Sequence, residues 1–167
     1  MPDSTHSSAA TLRPATLADV PRILGFIREL AVYEQLEHQV VATESLLAEQ
    51  LFGPRPAAEV IIAEVNGAAV GFALFFHNFS TFLGRPGLFL EDLYVQPHVR
   101  GLGVGKALLR HLAGLAVARG CGRMDWNVLD CNAPAVGFYR KLGADVLPDW
   151  RTCRVTGDAL KALAGSS

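Results

Sequence analysis

The sequence predicts an α/β fold of the α+β kind, a mixed and mostly antiparallel twisted sheet with helices on both faces. A two-residue hairpin signal, Asn66-Gly67, separates strand-like runs over residues 59–65 and 69–76, which indicates antiparallel pairing. Further along, an apolar run over residues 88–95 precedes a glycine-rich turn, an amphipathic segment and another strand-like run. That order is typical of a strand–helix–strand crossover.

The first third of the chain alternates strand and helix signals. Residues 10–13 are strand-like, and Thr16-Leu-Ala-Asp19 followed by Pro21 predicts a capped helix start. Apolar residues then recur with a 3.6-residue period as far as Ala31. A shorter helix is predicted over residues 43–51, and loop composition fills residues 78–87.

The last part of the chain predicts two helices and three strands. One helix runs from about Gly103 to Arg119, and a strand covers about residues 123–129. Asn132 can cap the next helix, with Pro134 in its first turn and Gly143 at its end. Final strands are predicted near residues 145–147 and 150–156.

The predicted domain organisation is simple. With no internal repeat and no linker, one domain is predicted over residues 11–167. Residues 1–10 lack the charged and apolar regions of a signal peptide and are predicted to form a disordered tail.

Composition disfavours several classes of function. The net charge is −1 without long blocks of one sign, so nucleic acid is not an expected partner. The apolar segments are too short and too often interrupted to span a membrane. The three cysteines and five histidines show no metal-ligand spacing and no C-x-x-C, so neither a metal nor a disulfide framework is expected. We therefore expect a cytoplasmic location.

The glycine-rich turn predicts a phosphate-binding site. Its backbone N–H groups, a helix start and two cationic side chains would converge on an anion. A Walker A loop is excluded because an arginine stands at its first glycine and Ala107 replaces its hydroxyl residue, and the spacing also fails G-x-G-x-x-G. A turn that only bends the chain is the alternative. The residues are Arg100, Gly101, Leu102, Gly103, Val104, Gly105 and Lys106.

The remaining pattern, Arg-x-x-Gly-x-Gly, resembles the pyrophosphate-binding signature of the GNAT superfamily of acetyl-CoA-dependent N-acetyltransferases. Ordered motifs over roughly residues 11–163 resemble its diamine (spermidine/spermine) and thialysine acetyltransferase branch. The resemblance implies a sheet in which two parallel strands splay apart to admit the pantetheine arm, and it implies a homodimer. The motifs are Arg13-Pro-Ala-Thr16, Leu30-Ala-Val-Tyr-Glu34, Leu90-Glu-Asp92 and Asn132-Ala-Pro-Ala-Val-Gly-Phe-Tyr-Arg-Lys-Leu-Gly143.

The resemblance also implies that acetyl-CoA is the co-substrate, with no metal. Backbone N–H groups of Leu93 and Val95, on either side of Tyr94, are expected at the thioester carbonyl and the oxyanion. The coenzyme's pantetheine or adenosine portion is expected near Asn132, Ala133, Pro134 and Ala135. Helix capping is a further interpretation of Asn132 and is compatible with this one.

Tyr139 and Glu91 are the predicted catalytic residues. The resemblance makes Tyr139 the general acid toward the coenzyme A sulfur, and core packing is the alternative. Strand alternation puts Glu91 and Asp92 on opposite faces. The resemblance places Glu91 at the substrate ammonium, where burial would make it a better base. A structural ion pair is the alternative for Glu91, and Asp92 is interpreted as structural.

The amine site is predicted from four further residues. Tyr33 and Glu34 match the branch's amine-binding pair, and Trp126 and Trp150 offer aromatic faces to an ammonium or alkyl chain. Core packing is an equal interpretation of both tryptophans.

Two departures weaken a polyamine assignment. Ser80 and Phe82 stand where mammalian-type diamine enzymes carry an acidic residue and a tryptophan, and the acidic loop before Trp150 is short. A small amine with its own carboxylate, held by Arg151 or Arg154, is then competitive. The arginines are more simply interpreted as surface residues.

The predicted function is transfer of acetyl from acetyl-CoA to a primary amine of a small molecule by direct attack on the thioester. A polyamine, a diamine and a thialysine-like amino acid are the candidate acceptors. One alternative is a non-catalytic acetyl-CoA-binding module, which the presence of both Glu91 and Tyr139 disfavours. The other is a protein N-terminal or lysine acetyltransferase, which the small-amine motif disfavours.

Overall fold

The computed structural model of the chain describes residues 10–165, which form five strands and five α-helices. The strands are β1 (Thr11–Pro14), β2 (Glu59–Val65), β3 (Ala68–Ser80), β4 (Arg85–Val95) and β5 (Arg123–Trp126). The helices are α1 (Val20–Glu34), α2 (Glu44–Phe52), α3 (Val104–Ala118), α4 (Ala133–Lys141) and α5 (Gly157–Leu163). Within residues 10–165, none of these helices has the length and apolarity needed to cross a membrane.

The chain divides into two compact units, the first ending at Asn127 and the second beginning at Val128. All five strands and α1 to α3 belong to the first unit, and α4 and α5 belong to the second. The single domain over residues 11–167 stays a prediction. The predicted tail lies outside the described residues, except for Ala10.

The strands form one sheet in the order β1-β2-β3-β4-β5. The first three pairings are antiparallel, and Asn66 and Gly67 take the positive φ values, 52° and 77°, that a two-residue hairpin turn favours. The β4–β5 pairing is parallel and ends at Leu90 and Trp126, although β4 continues to Val95. The mixed, mostly antiparallel sheet is therefore confirmed, and the β4–β5 pairing ends where β5 itself ends, at Trp126.

Helix α1 packs its apolar stripe on one face of the sheet. Ile23 and Phe26 are fully buried with Phe72 of β3 and Tyr94 of β4. The Phe26 and Phe72 rings stack with centroids 5.6 Å apart and an interplanar angle of 14°. Each such side chain contributes about 1.5–3 kcal/mol when it is removed from water.

Helix α3 packs on the other face and contacts β2, β3, β4 and β5. Its buried residues recur with the spacing of one helix face: Val104, Leu108, Leu109, Leu112 and Ala116. Just beyond its end, the Arg119 guanidinium lies 5.8 Å from the centroid of the Phe75 ring, on the face opposite Phe72.

A β-bulge interrupts β4 in the middle of the sheet. Leu74 of β3 pairs with Asp92 whereas the adjacent Phe75 pairs with Leu90, so Glu91 is an extra residue in β4. Adjacent residues of β3 point to opposite faces, and their partners on β4 do the same. The extra residue therefore puts Leu90 on the α3 face and Asp92 on the α1 face.

Several predicted element boundaries are wrong. Residues 78–87 have loop composition, yet β3 continues to Ser80 and β4 begins at Arg85, because cross-strand pairing extends to Ser80 and Arg85 themselves. The strand predicted to reach residue 129 ends at Trp126. The strands predicted near residues 145–147 and 150–156 are absent from those described segments, and α5 follows them instead. A strand requires a paired neighbour, which an apolar pattern alone does not supply.

The predicted caps of α4 are confirmed. The Asn132 side-chain oxygen accepts a hydrogen bond from the Ala135 N–H at 3.3 Å, and Pro134 lies in the first turn. Gly143, with φ of 91°, follows the end of the helix.

Replacing Phe72 with alanine tests the packing of α1 on the sheet. We expect Phe72→Ala to lower the free energy of unfolding by about 3–5 kcal/mol, because it leaves a cavity against Phe26. Urea denaturation measures the change. The control is Val117→Ala, where the side chain is 81% exposed and the change should stay within about 0.5 kcal/mol. Equal losses in the two variants would contradict the assigned core.

Candidate functional site

The glycine-rich turn connects the end of β4 to α3. A short 3-10 helix, Pro97–Val99, follows β4, and α3 begins at Val104. The first backbone hydrogen bond of α3 runs from the Ala107 N–H to the Gly103 carbonyl at 2.9 Å, so the N–H groups of residues 104–106 have no acceptor within the helix. With the positive end of the helix dipole, these donors fit the oxygens of a diphosphate.

Two glycines of the turn are required by their backbone conformation. Gly101 and Gly103 have φ of 82° and 84°, in the left-handed region that costs other residues about 1–2 kcal/mol. Gly105 differs, because a Cβ built there would lie 3.8 Å from Val95 Cγ2, an ordinary contact. Packing against the described residues therefore does not require a glycine at position 105. The space beside its backbone fits the close approach of a bound group.

Arg100 has partners inside the protein. Its Nε donates a hydrogen bond to the Val95 carbonyl at 2.8 Å, and its guanidinium carbon lies 4.8 Å from the Tyr33 ring centroid and 5.6 Å from the Tyr94 ring centroid. Arg100 thus joins the start of the turn to the ends of β4 and α1. A phosphate contact by Arg100 stays a prediction, as does one by Lys106, which is exposed on the first turn of α3.

A cavity of about 400 Å³ lies beside the end of α1. Three carboxylates line it, Glu34 from α1 and Glu91 and Asp92 from β4. Its remaining lining is mostly apolar and comes from α1 and the following segment: Ile27, Leu30, Ala31, Leu36, Gln39, Val40, Val41 and Ala42. An apolar wall with acidic groups at one side suits a short alkyl amine in its ammonium form.

Burial and the neighbouring charges raise the affinity of Asp92 for a proton. Burial is the main cause that raises the pKa of Asp92 to about 6, and the charges of Glu91 and Glu34 raise it further. Burial also raises the pKa of Glu34. An entering cation would relieve this repulsion.

The predicted burial of Glu91 is wrong, because its side chain is exposed. The prediction that Glu91 and Asp92 serve opposite sides of the sheet is also wrong, since both line the same cavity. The bulge is the physical reason, because regular alternation stops at the extra residue. A catalytic role for Glu91 stays a prediction.

Sequence reasoning missed Asp92 as a residue of the cavity. One signal was present, since alternation correctly places Asp92 on the face of Tyr94, which packs against α1. What the sequence did not show is that α1 and the segment after it leave an open cavity at Asp92 rather than a packed core.

The other predicted residues of the first unit are only partly brought together. Tyr33 is 54% exposed and contacts Arg100, and Glu34 lines the cavity. Trp126 is half-buried on β5 and pairs with Leu90. On β4, Tyr94 is buried, and Leu93 and Val95 lie beyond the last residue paired with β5.

The remaining predicted residues belong to the second unit. Tyr139 is half-buried on α4, with its ring centroid 5.5 Å from that of Phe138. Asn132 to Ala135 form the capped start of the same helix, and Trp150 is 79% exposed. Joint action of Tyr139 and Glu91 stays a prediction.

A second cavity, of about 380 Å³, contains none of the predicted site residues. It lies between β2, α2 and α3 and is lined mainly by apolar side chains. At its rim Arg119 forms an ion pair with Glu59 at 2.6 Å, so these two charged groups are already paired. Among residues 10–165, no group of three histidine, cysteine or acidic residues could hold a metal ion.

Comparison with known proteins defines the class. The sequence model of the Acetyltransferase (GNAT) family matches residues 23–144, and the chain belongs to this family. It is therefore an N-acetyltransferase, and the family's co-substrate is acetyl-CoA.

Individual relatives agree with that class. The chain is 35% identical to L-ornithine N5-acetyltransferase NATA1 of Arabidopsis thaliana, over 95% of the chain and 89% of the relative. It is 37% identical to thialysine N-epsilon-acetyltransferase of Bos taurus, over 92% of the chain and 96% of the relative. A solved integron cassette protein from the mobile metagenome of V. cholerae is 28% identical, with a TM-score of 0.79, over 94% of this chain and 98% of that one.

Replacing Gly103 with alanine tests the conformation of the turn. We expect Gly103→Ala to cost about 1–2 kcal/mol of unfolding free energy, because alanine is strained at φ of 84°. Its KM for acetyl-CoA should rise as the N–H groups move. Gly114→Ala is the matched control on the exposed side of α3, where alanine should stabilise by about 0.5–1 kcal/mol and leave KM unchanged. Urea denaturation and steady-state kinetics measure both. An unchanged KM in Gly103→Ala would argue against the turn as the coenzyme site.

Proposed function

We propose that the chain acetylates a primary amine of a small molecule, a polyamine, a diamine or a thialysine-like amino acid, whose nitrogen attacks the thioester of acetyl-CoA directly. The observation that carries this proposal is the cavity beside α1, with Glu34, Glu91 and Asp92 on one side and apolar residues on the other. An ammonium would lie at the carboxylates and its alkyl chain along the apolar wall. We place Glu91 at the mouth, as the residue that binds the ammonium.

Acetyl-CoA would be held mainly by backbone groups. The diphosphate would accept hydrogen bonds from the N–H groups at residues 101–106, and the thioester carbonyl would face the N–H groups of Leu93 and Val95. Support comes from the helix start at Val104 and from the end of the β4–β5 pairing before those two residues. Tyr94 and residues 132–135 complete the proposed contacts.

Tyr139 is the proposed acid toward the leaving sulfur. A neutral phenol can give its proton to the thiolate as the C–S bond breaks, and no metal is needed for this transfer. Its place on the capped helix α4 supports a defined orientation, since Leu142 and Ala144 donate hydrogen bonds to the Tyr139 carbonyl at 2.9 Å and 3.1 Å.

An amino acid with a side-chain amine fits as the acceptor better than a long polyamine does. Ser80 is 5% exposed and its hydroxyl accepts a hydrogen bond from the Leu83 N–H at 3.3 Å, so it shapes the β3–β4 turn. Phe82 is almost fully exposed. These two positions supply no negative charge that would attract a polycation. The relatives named above act on ornithine and thialysine, which are amino acids with a side-chain amine. Arg151 or Arg154 would bind the acceptor's carboxylate. Relative kcat/KM across ornithine, thialysine and spermidine tests this choice.

A homodimer in the cytoplasm is the proposed state. Besides the resemblance, exposed apolar side chains near the β3–β4 turn, Phe79, Phe82 and Leu83, offer a surface for a second copy. Sedimentation equilibrium tests the dimer, since a monomer has a mass of 17.9 kDa.

Thiol release tests the enzyme assignment, and Tyr139→Phe tests the acid. We expect free thiol only when amine and acetyl-CoA are both present. Tyr139→Phe should lower kcat by about 100-fold or more, because the thiolate leaves unprotonated, with the Kd for acetyl-CoA nearly unchanged. Turnover at the wild-type rate would exclude Tyr139 as the acid. Tight coenzyme binding without thiol release from any amine would favour a non-catalytic module, and preference for peptides would favour a protein acetyltransferase.

A further inference from the structure

We propose that Asp92, and not Glu91, accepts the proton that the bound ammonium must lose before its nitrogen can attack. The proposal rests on the proposed function, since it assigns a role within the same amine cavity. It concerns the residue interpreted from sequence as structural.

Asp92 lies on the α1 face of the sheet, opposite Leu74 in the pairing and beside the wall formed by α1. Regular alternation from the buried Tyr94 places it there. The bulge at Glu91 lets the two neighbouring carboxylates line one cavity, while Leu90 stays 2% exposed on the α3 face. Bulges recur next to active sites because they redirect side chains.

Burial separates the two neighbouring carboxylates. Asp92 is half-buried, whereas Glu91 is exposed at the same cavity. Because Glu91 is exposed to water at the same cavity, its charge stays solvated and it is a suitable contact for a cation. A carboxylate removed from water holds a proton more tightly and is the better base near neutral pH.

The charged groups around Asp92 act in the same direction. Glu34 of α1 and Glu91 of β4 both favour its protonated form, in addition to the larger effect of burial, and its pKa is about 6. Leu74 faces it from β3, and the lining residues from the segment 36–42 carry no ionisable group. Asp92 is therefore mostly deprotonated at neutral pH, but still a stronger base than an ordinary aspartate.

A purely structural role does not fit these surroundings. Among residues 10–165, no hydrogen bond or salt bridge engages the Asp92 carboxylate, so it stabilises no partner. Since the folded protein holds this proton more tightly than the unfolded chain, the ionised carboxylate costs stability as the pH rises through about 4 to 6. A stability cost retained in a binding cavity is typical of a functional group.

The proton balance of the reaction is complete. One ammonium proton passes to Asp92, and the neutral nitrogen then forms the N–C bond with the thioester carbonyl carbon. As the C–S bond breaks, the thiolate takes a proton from Tyr139. Amide formation releases a second proton from the nitrogen, and this proton returns to the Tyr139 phenolate through solvent. Asp92 returns its proton to water, so each turnover releases one proton.

The test compares Asp92→Asn with Glu91→Gln across pH 5 to 9, using ornithine and acetyl-CoA. We expect wild-type kcat/KM for the amine to fall below about pH 6 as Asp92 protonates. Asp92→Asn should lower this parameter by about 100-fold or more and abolish the acid limb, leaving KM for acetyl-CoA unchanged. Glu91→Gln should raise KM for the amine and retain the acid limb, the fall of kcat/KM at low pH. This fall should occur at lower pH than in the wild type, because one charge that repels the Asp92 carboxylate is gone.

Two measurements are independent of turnover. Asp92→Asn should melt at a higher temperature than wild type at pH 8 and at the same temperature at pH 3.5, where Asp92 is protonated. In the wild-type protein without substrates, the Asp92 carboxyl carbon followed by 13C NMR should titrate near pH 6 and respond to added ornithine. Glu49→Gln, an exposed acid on α2, is the control and should change none of these readouts.

Three results would overturn the assignment. They are an acid limb that persists in Asp92→Asn but disappears in Glu91→Gln, an Asp92 titration below pH 4, and a lower melting temperature of Asp92→Asn at pH 8. If the wild-type protein released no thiol with any amine, the proposed function would fail instead, and the carboxyl titration would still test the environment of Asp92.

Discussion

The extra residue in β4 is the constraint on which the site depends. Regular alternation from Tyr94 places Asp92 on the α1 face but would direct Glu91 to the opposite, α3 face. The bulge keeps Leu90 and Tyr94 buried on their respective faces while both acids line one cavity. The core residues on either side hold the bulge in place, since Leu90, Phe75, Phe72 and Tyr94 are all 5% exposed or less.

The same strand leads directly into the glycine-rich turn. Residues 93–100 connect Asp92 to Gly101. They lie beyond the last β4–β5 pair and include the short 3-10 helix. Arg100 holds this segment to α1, because its side chain bonds the Val95 carbonyl and lies over Tyr33. One short stretch of chain therefore connects the cavity lined by Glu34, Glu91 and Asp92 to the start of α3.

The sequence predicted most of the fold because the relevant signals are local. Asn66-Gly67 determines a hairpin, the period of α1 determines its buried face, and Asn132 with Pro134 determines a helix start. The glycine spacing likewise predicted the turn, and Gly101 and Gly103 do take positive φ. In each case the responsible atoms lie within a few residues of one another.

Other features could not be predicted, because distant pairing decides them. The bulge depends on how β3 and β4 align, and Glu91, which was predicted to be buried, is exposed at this bulge. The length of the β3–β4 hairpin depends on Phe79 pairing with Pro86 and Ser80 pairing with Arg85, against a loop-like composition. The predicted strands after residue 144 had an apolar pattern without a partner strand.

Amide-resolved NMR titration is the most direct test of whether β4 and its turn serve both substrates. Adding coenzyme A to the 15N-labelled protein should shift the amide signals of Val104, Gly105 and Lys106 together with those of Leu93 and Val95. Subsequent addition of ornithine should shift those of Glu34 and Asp92. Saturable coenzyme binding that left the five first signals unmoved would contradict the assignment of the site to this strand and turn.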